Sequence, residues 1–315
     1  MPAGANSLRW GLTLPFAGVP LAEHEPLVRR AEAAGYTDLW TGETNGADGF
    51  TPLALAAAWT ERMRLGTGVV NPYTRGPAVL AMHAAALADA SGGRFVLGLG
   101  ASSNVIVERW NETPFEKPLT RLREIVPVLR EVFTGGRGPG GFKLETPPAE
   151  PVPIVLAALR DRMLRLGGEI ADGTFTNFLP LSAAEHVVAR VREGEAGREE
   201  TEVICRFFCI PGDGMDMARF MFAAYATVPV YEAFFRGLGW GDAIDPMVAA
   251  WRGGDRKDAL GLVPEELVRE IFIFGSADEM RARLGEYAAR GISTFVLSPI
   301  APPEQLSELI DALAP

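Results

Sequence analysis

The sequence has few of the side chains that usually hold metals or form disulfides. Its 315 residues include two cysteines, Cys205 and Cys209, and three scattered histidines. A zinc site cannot be assembled from so few ligands, and we expect no metal. With two cysteines, a reducing, cytoplasmic environment is the default interpretation.

Long apolar runs and a basic charge balance are also missing. No apolar stretch approaches the length that spans a bilayer, and Met1–Ser7 lacks the basic and apolar regions of a signal peptide. The net charge of −10 argues against binding to nucleic acid or to an anionic membrane. We therefore expect a small-molecule substrate, with any anionic ligand held by local arginines or backbone N–H groups.

What the chain does contain is typical of a globular enzyme with a large core: 48% hydrophobic and 22% charged residues. Length alone would suggest two domains, but α/β barrels of this size often form one. Strand and helix candidates alternate from end to end, which predicts a parallel sheet closed by helices. The predicted strands are 10–16, 37–41, 65–70, 94–99, 153–157, 173–177, 202–210 and 293–297. Eight such units predict a (β/α)8 barrel in a single domain, 1–315.

The predicted helices include 77–90 and an amphipathic helix ending at Phe133 that Pro127 should kink. We expect 104–118 to be a loop, and 135–151 to be a loop with or without a short hairpin. A helical insertion near 211–265 is too long for one connection. It could be an extra layer with its own core, or it could cap the barrel mouth and shape the substrate pocket.

The most informative stretches are Leu65–Arg75 and Ser91–Ala101, which form a strand–helix–strand unit rich in small residues. Both strands end on the same side, where parallel α/β folds bind ligands. Glycines there would let a flat ligand approach the backbone, although they could also serve only tight turns. The run Gly98–Ser103 is a poor dinucleotide fingerprint, because Ser103 stands where a third glycine is needed.

These stretches resemble the bacterial luciferase-like superfamily, specifically its branch of coenzyme F420 (deazaflavin)-dependent oxidoreductases. The resemblance rests on 38–43, 65–77, 91–101, 153–158, 168–173 and 291–299, whereas 207–262 matches poorly. It implies a TIM barrel with insertions at its C-terminal mouth, a bound deazaflavin and a homodimer or higher homo-oligomer.

The resemblance also implies positions for the cofactor. Gly68 and Val69 would form the ring floor, through a non-proline cis peptide or a bulge, with Asn71 beside it. Glu43 would lie near the ring edge as a catalytic proton relay, or it could be a solvated loop acid or a cap. Further cofactor contacts would come from Thr13, Leu99, Gly100, Ala101 and Ser102.

After the fifth strand, relatives of this branch have a Gly-Pro-type turn that binds the cofactor phosphate at a helix N-terminus. Here the contacts would come from Ala157, Ala158, Leu159, Arg160, Asp161 and Arg162. Arg160 or Arg162 could replace the missing glycine cradle by a bidentate phosphate contact, or could pair with Asp161 on the helix surface. Thr44 and Ser103 replace the histidine and glutamate of the sugar-phosphate dehydrogenase relatives, which argues against that activity.

Other polar residues are weaker candidates. We expect His83 to be buried scaffold, His24 to begin the first helix near the mouth, and His186 to lie on an outer helix. Tyr73 and Arg75 would face the cofactor tail or a neighbouring subunit.

The leading hypothesis is hydride transfer between deazaflavin and an unidentified organic substrate. An FMN-dependent monooxygenase and a non-catalytic flavin-binding protein remain alternatives.

Overall fold

Nine parallel strands and thirteen α-helices make up the part of the chain that the structure, a computed structural model, describes: residues 8–315. Met1–Ser7, the segment predicted not to be a signal peptide, lies outside it. The strands are β1 (Arg9–Leu14), β2 (Asp38–Thr41), β3 (Arg64–Thr67), β4 (Phe95–Leu99), β5 (Ile154–Ala157), β6 (Gly173–Asn177), β7 (Glu202–Pro211), β8 (Ile273–Gly275) and β9 (Thr294–Pro299).

Helices follow the strands around the outside. They are α1 (Glu25–Ala33), α2 (Thr51–Trp59), α3 (Pro77–Ala90), α4 (Pro118–Phe133), α5 (Asp161–Ile170), α6 (Ala184–Glu195), α7 (Met215–Ala226), α8 (Pro229–Gly237), α9 (Gly241–Gly253), α10 (Arg256–Gly261), α11 (Glu265–Ile271), α12 (Ala277–Ala288) and α13 (Leu306–Ala312).

Eight strands, β1–β7 and β9, close into a parallel barrel, because β6 pairs with β7 and β9 lies between β7 and β1. This confirms the predicted TIM barrel. The short strand β8 was not predicted; it extends the sheet outside the ring by pairing with the end of β7.

The predicted loop 104–118 contains one helical segment, Val105–Trp110. In 135–151 the structure has a 3-10 turn, Pro139–Gly141, and no hairpin. Helix α4 continues through Pro127.

The barrel interior is filled in two layers. Its middle is a buried apolar cluster to which six strands contribute one residue each: Trp40, Val96, Val155, Phe175, Ile204 and Val296. Such filled layers are typical of this architecture, in which the interior is a packed core and not a pore. The cluster therefore supports whatever binds at the mouth.

Charged residues close the other end of the barrel, where the strands begin. Arg64 pairs with Asp38, and its two terminal nitrogens lie 2.8 and 2.6 Å from the oxygens of Glu202. Arg9 also contacts Asp38, at 3.0 Å, and Thr294 donates to Glu202. Burial alone would raise the pKa of Glu202, but the charge and hydrogen bonds of Arg64 outweigh it and lower that pKa. This layer is a satisfied network far from the mouth.

Candidate active site

The carboxyl ends of the strands open into a mouth whose floor is made of small side chains. Residues deeper in the strands are buried, whereas several at the strand ends are partly exposed. These are Thr13, Gly42, Gly68, Val69, Ala101, Ser102 and Ala157. The structure thus brings together the predicted cofactor positions from β1, β3, β4 and β5. Leu99, Gly100, Asn71 and Ala158 are buried immediately beside them.

The Gly68–Val69 peptide is cis, as the resemblance implied. Neither Gly68 nor Gly100 has a positive φ, whereas Gly92 and Gly93 do, at 64° and 82°, where the chain turns after α3, so the tight-turn interpretation holds for that pair only. A Cβ on Gly68 would lie 2.9 Å from Cε2 of Phe175, and one on Gly100 would overlap with Cγ2 of Val69. Both glycines therefore allow close packing at and directly beneath the floor.

Glu43 forms a two-point ion pair with Arg75. Each carboxylate oxygen lies 2.6 Å from one terminal guanidinium nitrogen, and Oε1 also accepts from the backbone N–H of Gly49 at 3.1 Å. The Arg75 guanidinium carbon is 5.5 Å from the ring centroid of Phe50. Glu43 is thus a fixed carboxylate and not a freely solvated loop acid, and Arg75 faces it directly.

Asn71 shapes the turn that brings Arg75 to Glu43. Its Oδ1 accepts from the backbone N–H groups of Tyr73 and Thr74, at 3.1 and 2.9 Å, and from the Thr74 hydroxyl at 3.0 Å. This is the local hydrogen-bonding pattern that favours asparagine in turns. The Tyr73 hydroxyl donates to the carbonyl oxygen of Glu116 at 2.6 Å, which ties the turn to the segment before α4.

Residues after β5 line a cavity of about 310 Å³ between the start of α5 and α8. Leu159, Arg160 and Asp161 contribute to its wall together with His186. Asp161 accepts from Nε2 of His186 at 3.0 Å and lies 3.7 Å from Arg165. The interpretation that Asp161 pairs with Arg160 or Arg162 is therefore wrong. Within residues 8–315, neither of those exposed arginines forms an ion pair.

The structure adds a polar group that sequence reasoning missed. Nε of Arg206, on β7, donates to Oδ1 of Asn177, on β6, at 3.2 Å. The amide nitrogen of Asn177 donates to the Tyr231 hydroxyl at 3.0 Å, and Tyr231 belongs to α8 in the helical insertion. On the other side of the mouth, the Ser298 hydroxyl donates to that of Thr13 at 2.7 Å. The signal for Arg206 was a single charge inside the apolar run Val203–Ile210.

The three histidines lie in separate surroundings. The expectation that His83 is buried is wrong: it is exposed on α3, with its ring 4.5 Å from that of Phe50. Both ring nitrogens of His24 are used, one accepting from the N–H of Phe16 at 2.8 Å and the other lying 2.9 Å from the carbonyl oxygen of Pro20.

No group of three His, Cys, Asp or Glu side chains in the described part of the chain could hold a metal. Across residues 8–315, every helix is too short or too polar to cross a bilayer.

A family model described as luciferase-like monooxygenase matches residues 9–294. The chain belongs to this family. A Mycobacterium tuberculosis protein provisionally named a coenzyme F420-dependent oxidoreductase is 30% identical to this luciferase-like chain, over 92% of it and 95% of the relative. The 5,10-methylenetetrahydromethanopterin reductase of Methanolobus tindarius is 31% identical, over 90% of this chain and 92% of the reductase.

A solved structure agrees with these sequence relationships. The coenzyme F420-dependent tetrahydromethanopterin reductase of Methanopyrus kandleri superimposes with a TM-score of 0.80 and 26% identity, covering 98% of each chain. The luciferase-like fold of this chain therefore extends over nearly its whole length, including 207–262, where the resemblance in sequence was poor.

Proposed function

We propose that this chain is an oxidoreductase that transfers a hydride between coenzyme F420 and a small organic substrate. The observation that carries the proposal is the floor of small, partly exposed residues across β1, β3, β4 and β5. A planar ring needs such a surface, and Gly42 leaves space between this floor and Arg206: a Cβ there would be 3.7 Å from the carbonyl oxygen of Gly68 and 3.3 Å from Nη1 of Arg206. The names of the similar proteins support deazaflavin as the ring.

The proposed roles of the protein are binding, orientation and exclusion of water. Gly68 and Val69 form the surface, Gly100 lies directly beneath it, and Leu99, Ala101 and Ser102 border it with Thr13. When bound, the deazaflavin supplies the carbon that gives up or accepts the hydride. Glu43, held by Arg75, presents a fixed negative charge at the mouth, and Asn71 keeps that pair in place.

The helices α7–α10 would complete the pocket. Their buried side chains, including Phe222, Phe235 and Met247, belong to the same apolar cluster as the core around the barrel. The ring centroid of Tyr225 lies 4.4 Å from that of Phe178. The insertion therefore shares its core with the barrel. We propose that this single-domain protein uses the insertion to cover the substrate.

We also propose a homodimer or higher homo-oligomer in the cytoplasm. Helix α3 exposes two large apolar side chains one turn apart, Val79 and Met82, at 40% and 48% of their surfaces, and such a face favours association. Cys205 and Cys209 are buried free thiols, which suits a reducing compartment. Light scattering of the wild type and of Met82→Glu measures the oligomeric state.

A titration of the purified protein with oxidised F420 and with FMN, followed by cofactor fluorescence, tests the activity class. Tight binding of F420 and weak binding of FMN supports the proposal. Preference for FMN, with oxygen consumption when reduced FMN is supplied, would instead favour a monooxygenase. Binding of neither cofactor would contradict both.

A further inference from the structure

Arg206 lies on the floor of the mouth and points across it. Along β7, Ile204 belongs to the buried interior cluster, and Arg206 is the next interior-facing residue toward the mouth. Its guanidinium reaches the end of β2, since a Cβ on Gly42 would be 3.3 Å from Nη1. The cation therefore stands beside the Gly68–Val69 segment.

The side chain of Arg206 is held in one orientation by its neighbours. Nε donates to Asn177, and the guanidinium carbon lies 5.0 Å from the ring centroid of Phe208, within cation–π distance. Asn177 is fixed in turn by its bond to the Tyr231 hydroxyl. These contacts use only one of the nitrogens of Arg206 and leave Nη1 and Nη2 available.

Arg206 has no carboxylate partner in the described part of the chain. Its terminal nitrogens donate to none of residues 8–315, and no Asp or Glu oxygen among them lies within ion-pair distance. By contrast, Arg64 at the base of the barrel and Arg75 at its mouth are each bound bidentately by a carboxylate. Because an unpaired, partly buried cation is unfavourable, an anionic ligand would complete this arrangement.

Tyr231 adds a second donor to the same place. Its oxygen accepts from Asn177, which leaves its own hydroxyl proton for a further acceptor. Burial raises the pKa of Tyr231, against the opposing effects of the Arg206 charge and the Asn177 bond, so the hydroxyl keeps its proton near neutral pH. A planar guanidinium with two free nitrogens, beside a hydroxyl donor, matches the two oxygens of a carboxylate.

We propose that Arg206 binds the carboxylate of the substrate, with Tyr231 as a second donor, so that this enzyme acts on organic acids. This inference rests on the proposed function, because it names the substrate class of the proposed oxidoreductase. Behind the two donors lie buried aromatic rings: Phe178 is 4.9 Å from Phe208 and 5.5 Å from Tyr231, between ring centroids. This packing holds Tyr231 and the end of β7 in place.

The test compares acids with their neutral amides. Calorimetry measures binding of benzoate and benzamide, phenylacetate and phenylacetamide, and crotonate and crotonamide, with and without saturating oxidised F420. We expect the wild type to prefer the acid in at least one pair. Arg206→Met should remove that preference, lowering acid affinity about 10- to 100-fold with little change for the amide. Arg206→Lys should retain part of it, and Tyr231→Phe should lower acid affinity severalfold.

The control is Arg137→Met, which removes an arginine from an exposed loop and should leave the preference unchanged. Thermal unfolding of each variant checks that it folds. Equal affinity of the wild type for acids and amides throughout the panel would overturn the proposal. The proposal would also be overturned if Arg206→Met weakened the binding of reduced F420 more than the binding of oxidised F420. In that case Arg206 would bind an anionic group of the cofactor and not of the substrate. Failure of F420 to bind contradicts the proposed function alone, because the cofactor-free measurements still test Arg206.

Discussion

Arg75 and Glu43 are 32 residues apart in sequence and meet in a bidentate ion pair at the mouth of the barrel. The pair joins the end of β2 to the turn after β3, and both side chains are largely shielded from solvent, at 15% and 18% exposure for Glu43 and Arg75. It fixes the position of a negative charge beside the proposed cofactor floor. The role of Glu43 therefore has to be tested together with that of its partner.

Glu43→Gln should fold but bind F420 or turn over about tenfold less well, because one charged acceptor is lost and Arg75 is left unpaired. Fluorescence titration and steady-state rates measure this. If Glu43 acts through Arg75, then Glu43→Gln combined with Arg75→Met should be no worse than the poorer single variant. Unchanged affinity and rate in Glu43→Gln would leave Glu43 with a purely structural role.

Glu202→Gln should lower the free energy of unfolding by about 1.5–3 kcal/mol, since Arg64 loses a charged hydrogen-bond partner in the mostly buried layer at the base of the barrel but keeps Asp38. Urea unfolding measures the change. The matched control is Glu169→Gln, which breaks the exposed pair with Arg123 and should cost about 1 kcal/mol or less. Equal effects for the two variants would contradict the importance of the basal layer.

The same carboxylate should make stability depend on acid. Because the pKa of Glu202 is lower in the folded protein than in the unfolded chain, its contribution is complete above about pH 4.3, the ordinary glutamate value. It is lost as the pH falls through the lower folded pKa. Urea midpoints measured from about pH 6 to pH 3 should therefore converge for the wild type and Glu202→Gln. A constant gap would show that Glu202 does not titrate in this way.

Gly100→Ala should weaken F420 binding, because the added methyl group overlaps with Val69 and lies 3.0 Å from Cβ of Ala157. Overpacking of this kind costs about 1–3 kcal/mol and displaces neighbours, here the floor itself. Gly285→Ala is the control: it lies within α12, has open space around it, and should stabilise the protein by about 0.5–1 kcal/mol. Normal F420 affinity in Gly100→Ala would argue that the ring binds elsewhere.

Replacing Arg160 and Arg162 by alanine should weaken binding of F420 more than binding of its phosphate-free riboside analogue. The reason is that a net-negative protein must hold the phosphate with nearby donors, and these exposed arginines stand at the start of α5. Arg137→Ala controls for the loss of charge at a distance. Equal losses for the two ligands would mean that the phosphate is bound by other residues.

The sequence predicted the features of the barrel that depend on local pattern. Helix α3 and strand β6 begin and end where expected, since flanking glycine and proline residues mark their limits. Strand β8 was missed because three residues in an apolar run carry no periodicity. The exposure of His83 was also missed, because the apolar neighbours of His83 surround it on all faces of α3.

The site was less predictable, for a different reason. The positions of Gly68, Val69 and Ser102 followed from a family resemblance, but the partners of the charged residues did not. Arg75 with Glu43 and Arg206 with Asn177 are contacts between the ends of different strands, and Asn177 with Tyr231 joins a strand to the insertion. Their geometry arises only when the barrel closes. Asp161 likewise pairs with His186 on the next helix, and not with its neighbours in sequence.

The place where the insertion joins the barrel has an evolutionary consequence. Gly212, just after β7, and Gly275, at the end of β8, exchange both backbone hydrogen bonds, at 3.0 and 3.1 Å. The chain thus leaves and returns through one pair of facing residues. Helices between them can be lengthened, shortened or exchanged while the barrel strands keep their register. Substrate range can diverge in this protein lineage by remodelling that one segment, while the opposite side of the mouth stays unaltered.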